Sequence, residues 1–386
     1  MGDLIELNNE YFEQSNIALA PRFSPFFTIS VCSHMVNLAN QKMEFAISQN
    51  KVANLRVHLF MCAPPGHMKT VLLRSYLDGP SSICGLGNLD VQFEGAMTEA
   101  GFTGTIKYID GEPHTVKGAA FEHREGIVGI DEFAVLSNAM KQEHSVNLDN
   151  AMLTALDSGF LIKRLALGKI QYITQMTLMT GSQPSRFSLT SGLGRRFVFV
   201  YFVPSSEDSR RIKIARRQGR NSVVREHTKQ EISDTLRTIV ESSMEIDDVR
   251  IDKSVYDILD VLKVPHYEEE LYERLAIGYQ VAKMGVCEDV IVAKMDSRLR
   301  NIFRLEHEWR SKIQEGADVA QVWTVVQEMD GCGLSEVKHR LTNIGLTWND
   351  SGEKLNTLRR QGRIDIVRAE QEGKGRPKQI VVVTDE

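Results

Sequence analysis

Apolar positions between residues 56 and 203 fall in short unbroken runs, at 57–62, 126–130, 175–180 and 197–203, separated by stretches with helical spacing. Continuous runs of this length suit parallel strands buried on both faces. Their alternation with helices predicts an α/β domain. Residues 1–55 read as mostly helix, broken at Pro21–Pro25. Residues 207–309 carry long charged helical patterns and no convincing strand, which predicts a helical subdomain. After Gly316 the pattern becomes compact. Helices are expected at 319–329, 334–341 and 351–361, then a hairpin from 364–367 back through 379–383. Three helices and a hairpin predict a winged helix. The expected units are a helical segment 1–55, an α/β core 56–205, a helical lid 206–312 and a winged helix 316–386.

Composition narrows the class only a little. The 386 residues include 42% hydrophobic and 25% charged side chains, ordinary for a soluble protein. No apolar stretch is long enough to span a membrane, and the N-terminus lacks a signal-peptide pattern. Five scattered cysteines without a CxxC pair predict reduced thiols in a cytoplasmic protein. A net charge of -5 argues against bulk nucleic-acid binding but leaves room for local basic patches.

Two strings carry candidate chemistry. The first is Ala63-Pro64-Pro65-Gly66-His67-Met68-Lys69-Thr70, between the first apolar run and a helical run. A phosphate loop wraps backbone N–H groups around phosphate ahead of a helix. Pro65, Gly66, His67, Met68, Lys69 and Thr70 are the expected ATP-binding residues. Lys69 neutralises phosphate and Thr70 takes magnesium. The pattern G-x-x-x-x-G-K-[ST] is not met, because Ala63 and Met68 replace glycines. Met68 is expected to begin the helix, so it needs no positive φ. The second string is Gly129-Ile130-Asp131-Glu132-Phe133, at the end of an apolar run. Asp131 suits magnesium and Glu132 an attacking water. The plainer alternative for the pair is a helix N-terminus favoured by the dipole.

The third helix and wing of the C-terminal unit are cationic. Lys354, Arg359, Arg360 and Arg363, with Lys374, Arg376 and Lys378 in the wing, are candidate DNA contacts. Winged helices also bind protein, so that alternative stays open.

Together these features resemble the AAA+ core of the minichromosome maintenance (MCM) helicases over residues 20–300. That family carries G-D-P-G-x-A-K-S, without glycine before the lysine, and an acidic motif G-I-C-C-I-D-E-F. Here the latter is Gly126-Ile127-Val128-Gly129-Ile130-Asp131-Glu132-Phe133, with Ala134 in place of the usual aspartate. The family inserts two hairpins that touch DNA. Residues 101–120, with Asp110-Gly111 at a turn, resemble the first, and 161–172 the second. The resemblance makes Lys163, Arg164 and Lys169 candidate DNA contacts, with Lys107 and Lys117 weaker ones. A solvated hairpin face is the alternative for all five.

Further roles come from the resemblance alone. Gln183 aligns with the family's γ-phosphate sensor, with Ser182 as the neighbouring alternative. The arginine that enters a neighbour's site matches Arg186 by letters and Arg196 by position before a strand; position favours Arg196. Arg274 is the expected lid sensor. MCM proteins also end in a winged helix. With only a short segment before the core, an abbreviated MCM-like ATPase is expected. It lacks the N-terminal OB and zinc tier and serves replication or a mobile element. The resemblance implies ATP, Mg2+, DNA, a hexameric ring or helical filament, and a loader or replication partner. Two alternatives stay open, an ATP-dependent switch or loader that never unwinds, and a non-catalytic winged-helix scaffold.

Overall fold

The computed structural model describes residues 2–43, 46–47, 50–51, 54–140, 146–165, 168–187, 191–369 and 378–384. Two helices precede the sheet, α1 (Leu4–Gln14) and α2 (Ala20–Met43). Asp3 caps α1, accepting from the Ile5 N–H at 2.9 Å. The expected break at Pro21–Pro25 does not occur. Pro21 stands in the first turn of α2, where no N–H is required, and the helix continues through Pro25.

The chain then builds five parallel strands. They are β1 (His58–Cys62), β2 (Val91–Glu94), β3 (Ile127–Ile130), β4 (Thr177–Ser182) and β5 (Phe197–Tyr201), with helix α3 (Lys69–Leu77) directly after β1. Their order across the sheet is β5-β1-β4-β3-β2. Four strands are buried at every position. Of these β4 departs from an apolar run, since it holds Thr177, Thr180, Gly181 and Ser182. The edge strand β2 is half-buried and alternates Val-Gln-Phe-Glu, so it offers no continuous run to read. Phe60 anchors the interior. Its ring meets those of Phe133, Phe187 and Phe197 at 5.6, 5.1 and 5.5 Å.

Arg56, ahead of β1, is fully buried. Its guanidinium donates to the carbonyls of Ala155, Asp157 and Met176 at 3.0, 3.0 and 2.8 Å. These groups flank the segment Phe160–Ile173, so one side chain ties the base of that hairpin to the sheet. Burial lowers the Arg56 pKa to about 9.

Both inserted hairpins are present. Thr105–Ile109 pairs with Glu112–Val116 through Asp110 and Gly111, each at positive φ, as an Asp-Gly turn requires. Phe160–Leu165 pairs with Gly168–Ile173. The region after β5 is mainly helical but holds two strands where none was expected. Asp248–Ile251 and Val290–Ala293 pair in parallel. Each has four residues, too few to show a period. The C-terminal unit has helices Ala317–Glu328, Leu334–Asn343 and Trp348–Arg360, and an antiparallel pair, Ile364–Arg368 with Gln379–Val383. It packs its own core of Val322, Val326, Leu341, Leu355 and Leu358. No helix among the described residues is long and apolar enough to cross a membrane.

Candidate functional site

The strand order brings the two strings together. β4 lies between β1 and β3, so the loop after β1, the acidic pair after β3 and the polar end of β4 share one edge of the sheet. Parallel sheets place ligands at this carboxyl edge.

Each group there is held by backbone. The N–H groups of Asp131 and Glu132 donate to the carbonyls of Glu94 and Gly95, at 2.9 and 3.0 Å. Phe133 N–H donates to Gly181 O at 2.9 Å, and the Phe133 ring is buried against Phe60. The Thr70 hydroxyl, in the first turn of α3, donates to Asp131 Oδ1 and Oδ2 at 2.9 and 2.8 Å. The Ser182 hydroxyl donates to Glu132 Oε1 at 3.3 Å. Ser182 is thus the β4 residue in contact with the acidic pair. Gln183, half-buried, follows it at the turn into Pro184–Arg186.

Lys69 is only 8% exposed and its Nζ donates to Ala63 O at 3.1 Å. Burial lowers its pKa, while the charges of Asp131 and Glu132 act in the opposite sense. Bonded to one backbone carbonyl, the buried ammonium keeps two further N–H donors. Its stem needs Gly181. A Cβ there would stand 3.0 Å from Met61 O and 3.1 Å from Lys69 Cδ.

Met68 corrects an expectation. It does not begin the helix. It is the residue before it, with φ 65 and ψ -30, and Gly66 has φ 74. The loop therefore uses positive φ at Gly66 and at Met68, the second of which is a glycine position of the strict pattern. Met68 accepts a conformation costing of order 1–3 kcal/mol, and its buried side chain holds it there.

A cleft of about 420 Å³ opens beside the loop, lined by Gly66–Val71 on one side. Residues 15–18 and Ile212, Ala215, Arg216 and Gly219 form its other walls. Sequence reasoning missed these walls, because they come from segments far apart in the chain. The one local signal was Asn16, whose φ of 51 is a conformation that asparagine tolerates.

No family model and no curated protein matches this chain.

The remaining predicted residues divide. Arg274 does not reach the loop. It is 5% exposed, pairs with Glu270 on its own helix His266–Met284, and its charge is felt at Arg56, on the opposite edge of the sheet. A lid-sensor role for Arg274 is therefore corrected. Arg196 enters β5 and is held by Asp157 Oδ2 and Gly192 O, at 2.9 and 2.8 Å. It stands at the amino edge of the sheet, away from its own phosphate loop. Arg186 is exposed just past β4.

Among the hairpin cations, Lys163 is also corrected. It is bound at the root of the first insert, with Glu99 at 3.2 Å, Thr103 Oγ1 at 3.0 Å and Gly104 O at 3.1 Å. Its side chain is largely covered, so it links the two inserts and is not free for DNA. Arg164 and Lys169 are exposed and face each other across the register. Like charges placed opposite repel, which a polyanion would relieve. Lys107 is exposed, and Lys117 stands 4.4 Å over the Phe121 ring.

The C-terminal cations are mostly paired. Lys354 meets Asp318 at 2.5 Å, Arg359 meets Asp365 at 3.2 Å, and Lys378 meets Glu336 at 3.0 Å. Arg363 reaches Glu315 at 3.7 Å and lies 4.1 Å over the Trp323 ring. Arg360 is exposed. Lys374 and Arg376 lie outside the described residues. This unit also touches the loop after β1. A Cβ on Gly345 would stand 2.7 Å from Pro65 Cδ, and Arg340 donates to Pro204 O at 2.7 Å. Burial lowers the His67 pKa, and the nearby charge of Arg340 adds to that.

Proposed function

We propose that this chain is an MCM-like AAA+ ATPase that hydrolyses ATP between the subunits of an oligomer and acts on DNA, with the C-terminal unit as a winged helix. The observation that carries it is the Thr70–Asp131 pair beside the Ser182–Glu132 pair, at the mouth of a loop holding a buried lysine. Thr70 and Asp131 present hard oxygen donors side by side, as a magnesium ion prefers, with phosphate and water completing its shell. Magnesium would neutralise charge developing on the transferred phosphoryl group. Lys69 binds the phosphates. Glu132, oriented by Ser182, accepts the proton of the attacking water. The cleft between residues 15–18 and Ile212 takes the base.

The test is Glu132→Gln. It should retain binding of a labelled ATP analogue and lose phosphate release by about two orders of magnitude or more. Hydrolysis at the parental rate overturns the assignment.

Arg196 would serve a neighbouring subunit, and for that it must leave Asp157. The bond between them, with Arg274 remote from the loop, favours a second reading, an ATP-dependent DNA switch or loader that assembles without unwinding. Strand separation on forked DNA decides between the two.

A further inference from the structure

One face of the helix Ser206–Gln218 walls the nucleotide cleft through Ile212, Ala215 and Arg216, with Gly219 just past its end. At about 100° per residue, Arg210 and Arg217 point away from the cleft and Lys213 stands on the flank beside them. Arg220 extends that face in the following turn, Gly219–Asn221. All four are exposed, and no residue of the helix is buried. Glu207 neutralises Arg210 through bonds of 2.7 and 2.9 Å. Lys213, Arg217 and Arg220 have no carboxylate partner among the described residues. Three uncompensated cations therefore share one face over about 10 Å in a chain whose net charge is -5.

We propose that this face binds the phosphodiester backbone of nucleic acid. Charge complementarity names the occupant. Arginine, which dominates here, pairs with phosphate through two parallel N–H bonds. No aromatic side chain stands between residues 206 and 225, so the face offers nothing for bases to stack on. It reads charge and not sequence. The stripe is distinct from the hairpin and C-terminal cations. Because its other face walls the cleft, nucleic acid outside and nucleotide inside bear on one helix. The inference shares with the proposed function the premise that the chain handles nucleic acid. It does not depend on hydrolysis.

The experiment uses the full chain without nucleotide, a labelled duplex of about 20 base pairs and the matching single strand, titrated over a range of salt. Each phosphate contact contributes about -0.9 to the log–log salt slope on duplex and about -0.7 on single strand. The variant K213Q/R217Q/R220Q should flatten the slope by about 2 to 3 and weaken binding roughly tenfold or more. Its melting temperature and its ATP-analogue affinity should stay unchanged. An unaltered slope and affinity overturn the proposal. So does a wild type that binds neither strand but self-associates through this face, which would assign the stripe to a second copy. A flattened slope in a chain that never hydrolyses ATP leaves the stripe standing and overturns the hydrolytic reading instead.

Discussion

The hydroxyl of Thr70 donates to both carboxylate oxygens of Asp131, at 2.9 and 2.8 Å. A helix start and a strand end, far apart in the chain, are thereby locked at the distance a shared cation needs. If that is their purpose, Asp131→Ala and Thr70→Ala should each lower ATP hydrolysis by roughly 10²-fold or more. The magnesium concentration for half-maximal activity should rise in both. A magnesium titration of phosphate release checks this, and unchanged magnesium dependence in both variants argues against the assignment.

Gly181 has no side chain to offer a ligand, yet Lys69 depends on it. The Gly181→Ala methyl meets a backbone carbonyl on one side, which cannot yield, and the Lys69 stem on the other. Affinity for an ATP analogue should fall by about tenfold, equivalent to about 1.4 kcal/mol. Calorimetric titration measures it. Wild-type affinity would mean that the stem has room to move.

Met68 reverses an ordinary rule. Alanine is normally more stable than glycine, because glycine has more freedom to lose on folding. At a φ of 65 the order should invert. Both Met68→Ala and Met68→Gly lose buried surface and should destabilise by about 2 kcal/mol or more. Met68→Gly should be the more stable of the two by about 1 kcal/mol. Urea unfolding of the two variants compares them directly.

His34 gives the fold a pH dependence. Its Nε2–H donates to Glu125 O at 3.1 Å, and Nδ1 accepts from the Thr177 hydroxyl at 2.8 Å, so the ring is satisfied when neutral. Burial lowers its pKa to about 4, with Arg56 adding to the effect and Asp90 opposing it. The unfolded chain therefore binds a proton that the native one refuses. Stability should be fully present above about pH 6.5 and should fall as pH drops toward 4, by about 3 kcal/mol from this group. Buried His58, also lowered by burial, acts in the same direction. Denaturant midpoints across this range should show a smaller slope in His34→Asn.

Arg274 tests the corrected lid. Arg274→Gln should lower the melting temperature, since the buried arginine side chain loses its packing. Turnover per folded molecule should stay at the parental level. A specific loss of hydrolysis at full stability would restore a role in the site.

Local patterns made much of this protein legible. Strands β1, β3 and β5 showed as apolar runs because strands buried on both faces favour them, and β4 showed mainly through Met176, Leu178 and Met179. The Asp110-Gly111 turn showed because few residue pairs accept two positive φ values. The C-terminal helices and hairpin showed through helical spacing and glycine stops. Lys69, Thr70, Asp131 and Glu132 were legible as a cluster because each lies shortly past the end of a buried parallel strand.

What stayed hidden depended on distance through space. β4 inserts between β1 and β3, and only that order sets Ser182 against Glu132. Lys163 looks free as a letter and is bound to Glu99 in the fold. Arg274 looks like a lid sensor from the helix it stands on and is packed at the far edge of the sheet. The residue types at the site follow from the one-dimensional string, because their chemistry is local. Whether a given cation is available follows only from the fold, because burial and pairing are properties of neighbours that sequence separation does not encode.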